Sequence, residues 1–355
     1  MLSYRPPTIC SDKHTSVACI IQGSISWCKN ILISDIQCNP IRYSEEKTFA
    51  LSCCRNDVDC ENDDKIIGGH LASPVPYMSS VHRNGHHFCG GCLLTLSSIL
   101  TACHCVGSFS RNDNDLTVEY VKLASPSYYE IYAGHTDIKT SSDDLQIRRA
   151  RKFVEHPKCA KFQGIMEWDF AIIVTKSPFE LNKKVHPIKL YSMDKKSFDE
   201  RIAKINDRSF CWVMGWGKTD VHPDSPPTSR YLKYAAMKII PLDKCRELLS
   251  IKSILFSAYD FQDRAQMCAL GVNGSESDCT GDSGGPFVCD GEAVGTVSYG
   301  FDCGKPDEPA VYTKLSDFVE WYGSIKDAVE RSSVPRYRYS LALLTWTVVI
   351  NLLKV

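Results

Sequence analysis

Three features are scarce in this sequence: net charge, a long apolar run near the start, and internal repetition. The formal net charge is −1 over 355 residues, so the chain lacks the cationic excess with which proteins bind nucleic acid or an anionic membrane surface. A secretory signal contains ~7–15 unbroken apolar residues. Residues 1–30 instead contain prolines, charges and three cysteines around a short apolar stretch at 17–21, and no segment of the chain repeats. These absences argue against a nucleic-acid-binding protein and against a repeat architecture.

Cysteine, by contrast, is abundant, with 18 residues in the chain. The spacing of these cysteines does not suit zinc, because Cys53 and Cys54 are adjacent and no C-x-x-C pair faces a second one. Cysteines in such number that do not bind metal are typical of an oxidising compartment. We therefore expect a disulfide-bonded protein that is secreted or extracellular.

A serine in a glycine-rich turn is the most informative local feature. Ser283 lies in the sequence Gly-Asp-Ser-Gly-Gly-Pro at 281–286, where the glycines let the backbone pass close to a bound substrate. The backbone amides of Gly281 and Ser283 can point together at a developing oxyanion. The turn therefore predicts a nucleophilic serine beside an oxyanion hole.

Two further segments supply the partners that a nucleophilic serine needs. A serine hydroxyl is activated when an imidazole removes its proton and a carboxylate orients that imidazole. His104 lies in the segment 101–105, and Asp169 precedes a short apolar run that predicts a buried strand. We predict that His104, Asp169 and Ser283 form one catalytic group.

With these three segments, the chain resembles the chymotrypsin-like (trypsin-fold) serine proteases. Further family signatures occur in the right order: Ile-Ile-Gly-Gly at 66–69, His-Phe-Cys-Gly-Gly at 87–91 and Gly-Trp-Gly at 215–217. The resemblance covers about residues 66–330. It implies an all-β domain of two six-stranded antiparallel β-barrels, with the active site between them and a helix at the C-terminal end. It also implies hydrolysis of peptide bonds through an acyl-enzyme, with no cofactor and no metal.

The pattern of apolar residues agrees with this fold. Short runs separated by Gly, Pro, Asn and Asp predict many short strands, and they lie at 78–82, 92–101, 118–123, 170–174, 210–216, 234–240 and 292–299. Helical spacing of apolar residues from Ser316 to Val329 predicts the closing helix, with Ser316 as its N-cap. The segment 106–130 is longer than simple family members need, and we expect an enlarged loop beside the cleft.

The resemblance also implies four disulfide bonds in the protease domain: Cys89–Cys105, Cys211–Cys289, Cys245–Cys268 and Cys279–Cys303. The last of these would join two walls of the specificity pocket. Cys92 and Cys103 are left over; either they form a bridge on adjoining strands, or they are two small buried thiols. Cys159 is also unassigned, and a bond from Cys159 to Cys60 would balance the count.

The first 65 residues contain seven cysteines and are too few to bury much core without covalent links. Spaced cysteines that end in the doublet Cys53-Cys54 resemble a clip domain, the small module that precedes many arthropod serine proteases. The gap from Cys28 to Cys38 is shorter than that family usually has. The alternative is a disordered pro-segment. We expect a cysteine-rich pro-region over 1–65, ending in an acidic, exposed linker.

The junction between Lys65 and Ile66 predicts an activation site. Cleavage there by an upstream trypsin-like protease would create an ammonium group on Ile66, which the uncut amide lacks. That ammonium can pair with Asp282 and so hold the Gly281 amide in the oxyanion-hole position. The sequence therefore predicts a zymogen.

Five residues are expected to contact the substrate: Ser277, Asp278, Ser298, Gly300 and Ala310. In trypsin-like relatives an Asp six residues before the nucleophile lies at the floor of the primary pocket, and that position is Ser277 here. A neutral floor lacks the counter-ion that a buried basic side chain needs, so cleavage after apolar or aromatic residues is predicted. Asp278 leaves open the alternative of cleavage after Arg or Lys. Gly300 keeps one wall open, Ala310 narrows the pocket, and Ser298 begins a segment that should pair with an extended peptide.

The expected partners are protein or peptide substrates, an upstream activating protease and serpin-type inhibitors. A second class of function stays open at this point, namely a non-catalytic protease homologue that acts as an adaptor. The tail 331–355 contains an apolar stretch at 341–353, shorter than the ~20 residues of a spanning helix. It is either part of a lipid-anchor signal or an unstructured tail.

Overall fold

The computed structural model describes residues 69–333, apart from short gaps at 113–114, 140–141, 206–208, 210, 221, 223–225 and 275, and the backbone of four strands nearer the N-terminus. The chain divides into two compact units, Met1–Asp63 and Asp64–Val355. Within the described ranges, none of the helices combines the length and the apolar character needed to cross a membrane.

The described chain is built mostly of short strands. In chain order they are β1 (Val17–Ile21), β2 (Ser24–Cys28), β3 (Ile36–Ile41), β4 (Ala50–Arg55), β5 (His70–Leu71), β6 (Met78–Arg83), β7 (His86–Thr95), β8 (Ser98–Thr101), β9 (Gly107–Asn112), β10 (Asp115–Leu123), β11 (Tyr129–Ala133), β12 (Gln146–Glu155), β13 (Ala160–Phe162), β14 (Ile165–Glu167), β15 (Ala171–Thr175), β16 (Cys211–Gly215), β17 (Lys233–Ile240), β18 (Gln266–Gly271), β19 (Pro286–Cys289), β20 (Glu292–Tyr299) and β21 (Ala310–Lys314). The helices are α1 (Lys195–Ala203), α2 (Leu242–Ser250) and α3 (Leu315–Ser333).

The N-terminal unit contains two antiparallel hairpins. Strand β1 pairs with β2, and β3 pairs with β4, where Cys38 lies opposite Cys53. The cysteine pairings of this unit and the activation bond between Lys65 and Ile66 lie outside the described residues. The clip-like interpretation therefore stays a prediction.

The first half of the protease unit is a closed six-stranded antiparallel barrel in the order β11-β12-β15-β8-β7-β6. Side chains alternate across a strand, so β11 buries Tyr129, Ile131 and Ala133 in the barrel core. Strands β8 and β15 are buried along their whole length, and their pairing sets Thr101 opposite Ala171. This pairing brings the segments that follow β8 and precede β15 to the same edge of the barrel.

The second half is another six-stranded barrel, in the order β16-β19-β20-β21-β18-β17, which the pairing of β16 with β17 closes. Strand β5 extends this sheet by pairing with β17. Its core contains the fully buried side chains of Phe287 and Tyr312, which stack on each other. The predicted all-β fold of two six-stranded barrels is confirmed.

Two segments outside the barrels form an additional four-stranded antiparallel sheet in the order β14-β13-β10-β9, which we call the accessory sheet. Strands β9 and β10 form a hairpin just after His104, and β13 and β14 form a hairpin just before Asp169. Most of the segment 106–130 is therefore a β-hairpin with a register shift between Asp115 and Glu119, where the sequence suggested an enlarged loop. The predicted strand run at 118–123 lies within β10. Its Phe109 and Val121 pack against the core of the first barrel, which stabilises the hairpin.

The helix α3 follows β21 and closes the protease unit, as predicted. It buries an apolar stripe that includes Phe318, Val319 and Tyr322, at the spacing of a half-buried helix. The helix begins at Leu315, so the assignment of Ser316 as the N-cap is wrong, and Ser316 lies in the first turn. The helix continues to Ser333, slightly beyond the predicted domain boundary at 330.

Five disulfide bonds occur in the described residues. Four join the pairs that the resemblance implies: Cys89–Cys105, Cys211–Cys289, Cys245–Cys268 and Cys279–Cys303. The fifth is Cys103–Cys159.

The fifth bond corrects two expectations. Of the two alternatives for Cys92 and Cys103, the bridge between them is wrong; Cys92 is the buried thiol that the other alternative expected, whereas Cys103 is bonded. The assignment of Cys159 to Cys60 is also wrong. The physical reason is strand alternation, because residues three apart in β7 face opposite sides. Cys89 lies with Cys103 in the core of the first barrel, whereas Cys92 faces the core that extends towards the second barrel.

Candidate active site

His104 and Asp169 come together because β8 and β15 are neighbours. His104 lies in the 3₁₀ turn Cys103–Cys105 after β8, and Asp169 lies just before β15. His104 Nδ1 is 2.7 Å from Asp169 Oδ2, and the His104 backbone amide donates to Asp169 Oδ1 at 3.0 Å. An ionised carboxylate only accepts hydrogen bonds, so Nδ1 carries the proton and Nε2 is the basic nitrogen.

The electrostatics of this pair favour proton transfer. Burial disfavours the charged form of Asp169, but the charge of His104 and hydrogen bonds from His104 and Ser298 outweigh burial and lower the pKa of Asp169. Burial also opposes protonation of His104, and the Asp169 carboxylate outweighs it, so the pKa of His104 is raised. The imidazole is therefore a stronger base than an isolated histidine, which suits a group that must accept a proton from a hydroxyl.

The second barrel also holds Asp169. The Ser298 hydroxyl at the end of β20 donates to Asp169 Oδ2 at 2.6 Å, and the Thr313 hydroxyl of β21 donates to the Asp169 carbonyl at 3.1 Å. Sequence reasoning placed Ser298 on the substrate side and did not identify Thr313. No local motif marks either hydroxyl, because each reaches Asp169 only through the packing of one barrel on the other.

The turn that carries Ser283 needs glycine at two positions. Gly281 has φ of +102° and Gly284 has φ of +80°, in the region where a side chain is strained. A Cβ on Gly284 would lie 2.1 Å from the Thr101 hydroxyl oxygen. The Gly90 amide donates to the Ser283 carbonyl at 2.8 Å. The serine turn is thereby docked against the strands that lead to His104.

The amides of Gly281 and Ser283 donate to no backbone carbonyl in the described part of the chain. The carbonyl of Thr280, in the same peptide group as the Gly281 amide, accepts from the Lys218 amide at 2.7 Å. The N–H and C=O of a trans peptide point in opposite directions, so the Gly281 amide points away from that contact. Both amides thus stay available for an external acceptor.

His87 fixes the other side of Gly281. His87 Nε2 donates to the Gly281 carbonyl at 3.0 Å, and Ser80 Oγ is 2.7 Å from His87 Nδ1. Burial and the neighbouring His82 lower the pKa of His87 to about 3, so this imidazole is neutral at physiological pH. Sequence reasoning used His87 only as part of a family signature and did not assign it this contact.

Asp282 is a fully buried carboxylate with an incomplete environment. Its Oδ1 accepts from the Gly217 amide at 2.7 Å and its Oδ2 accepts from the Cys279 amide at 2.9 Å. No Lys, Arg or His within the described ranges forms an ion pair with it. Burial raises the pKa of Asp282 to about 7, and the two amides only partly offset that effect. Lys65 and Ile66, its predicted activation partners, lie outside the described residues.

Ser277 and Asp278 lie side by side and are both buried. The Ser277 hydroxyl donates to the Asp278 carbonyl at 2.8 Å, and the Tyr312 hydroxyl donates to Asp278 Oδ1 at 2.5 Å. Burial raises the pKa of Asp278 to about 6, and the hydrogen bond from Tyr312 partly offsets it. The carboxylate is therefore bound by a protein hydroxyl, and it takes up a proton at a higher pH than an ordinary Asp does.

The other predicted pocket residues lie on strands and loops of the second barrel. Ala310 is buried at the start of β21, and a Cβ built on Gly300 meets no atom within 4 Å, so space is open there. The Cys279–Cys303 bond links the segment after Asp278 to the loop after Gly300.

Comparisons with known proteins agree with this geometry. The family model described as Trypsin matches residues 66–322. Serine protease 1 of Rattus norvegicus is 30% identical over 264 residues, which covers 74% of this chain and 89% of the rat protein. Trypsin of Sus scrofa is 29% identical over 265 residues, which covers 74% of this chain and 95% of the pig protein.

A solved structure shares the fold. The structure of neuropsin, a serine protease expressed in the limbic system of mouse brain, matches 74% of this chain and 100% of its own with a TM-score of 0.56 and 24% identity. The family model covers well over half of the chain. The His104–Asp169 pair of this chain lies beside a glycine-rich serine turn. This chain therefore belongs to the trypsin family of serine endopeptidases.

Proposed function

We propose that the protein is made as a zymogen and that, after cleavage between Lys65 and Ile66, it hydrolyses peptide bonds through an acyl-enzyme on Ser283. The observation that carries this proposal is the His104–Asp169 pair. Asp169 binds His104 both at the imidazole ring and at the backbone amide. The nearby serine turn offers two amides that donate to no backbone carbonyl among the described residues. A general base and an oxyanion site are the two parts that acyl transfer requires.

The reaction follows from these positions. Ser283 Oγ attacks the carbonyl carbon of the scissile bond while His104 Nε2 takes the hydroxyl proton. The carbonyl oxygen becomes an oxyanion, which the amides of Gly281 and Ser283 stabilise. The C–N bond then breaks, and His104 gives its proton to the leaving amine. Water repeats the sequence on the acyl-enzyme, which releases the acid and restores Ser283.

The environment of Asp282 supports activation by a charge switch. A buried carboxylate without a cation is costly, and the raised pKa of Asp282 expresses that cost. The ammonium group freed on Ile66 would supply the missing charge. The resulting ion pair would order the backbone at 279–282, which includes the Gly281 amide.

The predicted pocket floor supports cleavage after large apolar or aromatic residues. Ser277 is neutral, and its hydroxyl is bound to the Asp278 carbonyl. The Tyr312 hydroxyl binds one oxygen of the Asp278 carboxylate, and burial raises the pKa of this group, so it is a weaker counter-ion for a basic substrate side chain than an unbound, fully ionised carboxylate. A basic residue would therefore lose its hydration in this pocket without gaining a full counter-ion.

The partners follow from this activity. They are protein or peptide substrates, an upstream activating protease with trypsin-like specificity, and serpin-type inhibitors. Five disulfide bonds in the protease unit support an extracellular location.

Labelling with a fluorescent organophosphate tests the proposal. The full-length chain is labelled before and after treatment with a trypsin-like protease, and the labelled peptide and the new N-terminus are sequenced. We expect label on Ser283 only after Ile66 becomes the N-terminus, and no label in a Lys65→Gln variant treated in the same way. Absence of label on the cleaved wild type would instead favour a non-catalytic adaptor.

A further inference from the structure

The catalytic histidine lies between two disulfide bonds. Both of its sequence neighbours are half-cystines, because Cys105 is bonded to Cys89 and Cys103 is bonded to Cys159. The 3₁₀ turn that contains them is only three residues long, and its N-cap makes no side-chain hydrogen bond. A single short turn has little stability of its own, so the covalent links contribute strongly to the position of His104.

The two disulfide bonds join the turn that contains His104 to different parts of the fold. Cys89 lies in β7, so the Cys89–Cys105 bond ties the turn to the barrel wall. Cys159 lies between β12 and β13, in the segment that leads through the accessory sheet to Asp169. The Cys103–Cys159 bond, which spans 56 positions in sequence, therefore joins the segment that carries His104 to the segment that carries Asp169.

The same bond lies against the Asp169 carboxylate. The sulfur atoms of Cys103 and Cys159 and a carboxylate oxygen of Asp169 all lie within 4.8 Å of one another. All three residues are buried. A disulfide donates no hydrogen bond and excludes water, so it leaves the carboxylate to its partners His104 and Ser298. Attraction between charges is stronger where water is excluded.

We propose that the Cys103–Cys159 disulfide is a positioning element of the catalytic pair, which fixes the backbone of His104 relative to Asp169 and keeps water from the carboxylate. Cys103 and Cys159 are positioning residues, since they act through His104 and Asp169 and touch no reacting atom. The inference rests on the proposed function, because it requires that His104 carries the proton to and from Ser283.

The test compares two double variants of the full chain after cleavage at Lys65. Cys103→Ala/Cys159→Ala removes the bond in question. Cys245→Ala/Cys268→Ala removes a bond between α2 and β18, in a separate hydrophobic cluster. Active sites are counted by organophosphate titration, so that unfolded molecules do not enter kcat.

Both variants should lose thermal stability. Only Cys103→Ala/Cys159→Ala should lower kcat per titrated site, by about 10- to 100-fold as for a misplaced catalytic group, with little change in KM. It should also move the acid limb of kcat/KM to lower pH, because the pKa of His104 falls back towards its ordinary value when its contact with Asp169 loosens.

Three results would overturn the inference. Wild-type enzyme that neither takes up label nor cleaves peptides would refute the proposed function itself. Active wild type together with an unchanged kcat per site and an unchanged pH profile in Cys103→Ala/Cys159→Ala would refute only the positioning role. If that variant yields no titratable sites, Cys103→Ala/Cys159→Val refills the buried volume without the bond, and wild-type kcat in that variant would contradict the proposal.

Discussion

Asp169 and Asp282 are both buried carboxylates of the active region, but their surroundings act in opposite directions. The pKa of Asp169 is lowered, because the charge of His104 and several hydrogen bonds outweigh burial. The pKa of Asp282 is raised to about 7, because two backbone amides do not outweigh burial. Asp169 therefore has a titratable basic partner, His104, within the described residues, whereas no Lys, Arg or His within those residues pairs with Asp282.

This difference divides the site into a part that transfers protons, around Asp169, and a part that we propose responds to activation, around Asp282. The proton-transfer pair is assembled by the fold of the first barrel and by hydroxyls from the second. The serine turn contains the buried Asp282 carboxyl group, which has no cationic partner among the described residues. Under the proposed activation, cleavage would complete the surroundings of Asp282 and would require no change around Asp169.

Removing the proposed catalytic side chains themselves should have the largest effect. Ser283→Ala and His104→Ala in cleaved enzyme should each lower kcat by about 10⁶-fold, because the nucleophile or its base is lost. Asp169→Asn should lower kcat by about 10⁴-fold, because it favours the wrong imidazole tautomer. Steady-state kinetics on a peptide substrate measures these losses, with thermal melting as the control for folding. Turnover within tenfold of wild type in any of the three would exclude the assigned roles.

The raised pKa of Asp282 should make the stability of the uncut protein depend on pH. The folded, uncut chain holds a proton on Asp282 up to about pH 7, whereas the unfolded chain loses it near the ordinary value of 3.8. The free energy of unfolding should therefore fall as pH rises from about 4 to about 7, by a few kcal/mol at most.

Urea unfolding of uncut wild type and uncut Asp282→Asn between pH 4 and 8 isolates this effect. The difference between the two proteins should grow through that range in favour of Asp282→Asn. In cleaved enzyme the free energy of unfolding should no longer fall over this pH range, because the Ile66 ammonium keeps Asp282 charged. A difference that does not vary with pH in the uncut pair would show that Asp282 has no raised pKa.

Substitutions in the predicted substrate pocket should have a smaller effect on kcat/KM. Wild-type enzyme should cleave after Phe, Tyr or Leu faster than after Arg or Lys, and Ser277→Asp should raise kcat/KM for Arg by about tenfold for each 1.4 kcal/mol of added transition-state binding. A peptide library that varies the residue before the scissile bond measures both. Asp278→Ser is the matched control and should keep the apolar preference. If wild type prefers Arg or Lys and Asp278→Ser loses that preference, Asp278 is the specificity residue.

The smallest expected change concerns Lys161 on strand β13 of the accessory sheet. Its positive charge lowers the pKa of His104, so Lys161→Ala should raise that pKa and move the acid limb of kcat/KM to higher pH. Lys326→Ala on the exposed side of α3 serves as the control. An acid limb that stays in place, or that moves to lower pH, would show that Lys161 does not influence the catalytic pair.

The sequence was sufficient where the chemistry lies in contiguous residues. The Gly-Asp-Ser-Gly-Gly-Pro turn and the segment around His104 each require particular residue types at fixed spacing, so the His104–Asp169 pair could be predicted. The two barrels were implied by the family resemblance that these segments carry. Ser298 and Thr313 could not be assigned to Asp169, because those contacts depend on how the second barrel packs on the first.

The pairing of Cys103 with Cys159 was missed for a related reason. The expected position of Cys92 and Cys103 on adjoining strands suggested a bridge between them as one of two alternatives, although strand alternation already places Cys92 on the face opposite Cys89. Only the path of the accessory sheet brings Cys159 back to the turn before His104. The sequence indicated a strand at 118–123 but placed it in an enlarged loop. It did not indicate the hairpin, because these strands gain their stability from pairing with each other and from packing on the first barrel.

The most direct test of the account is the kcat/KM for one chromogenic peptide in three proteins: uncut wild type, wild type cleaved at Lys65, and Asp282→Asn cleaved at the same bond. Organophosphate titration and N-terminal sequencing verify the sites and the cleavage. The account predicts strong activity only in the cleaved wild type, because only there do a free Ile66 ammonium and a charged Asp282 occur together. Comparable activity before and after cleavage, or full activity in cleaved Asp282→Asn, would contradict it.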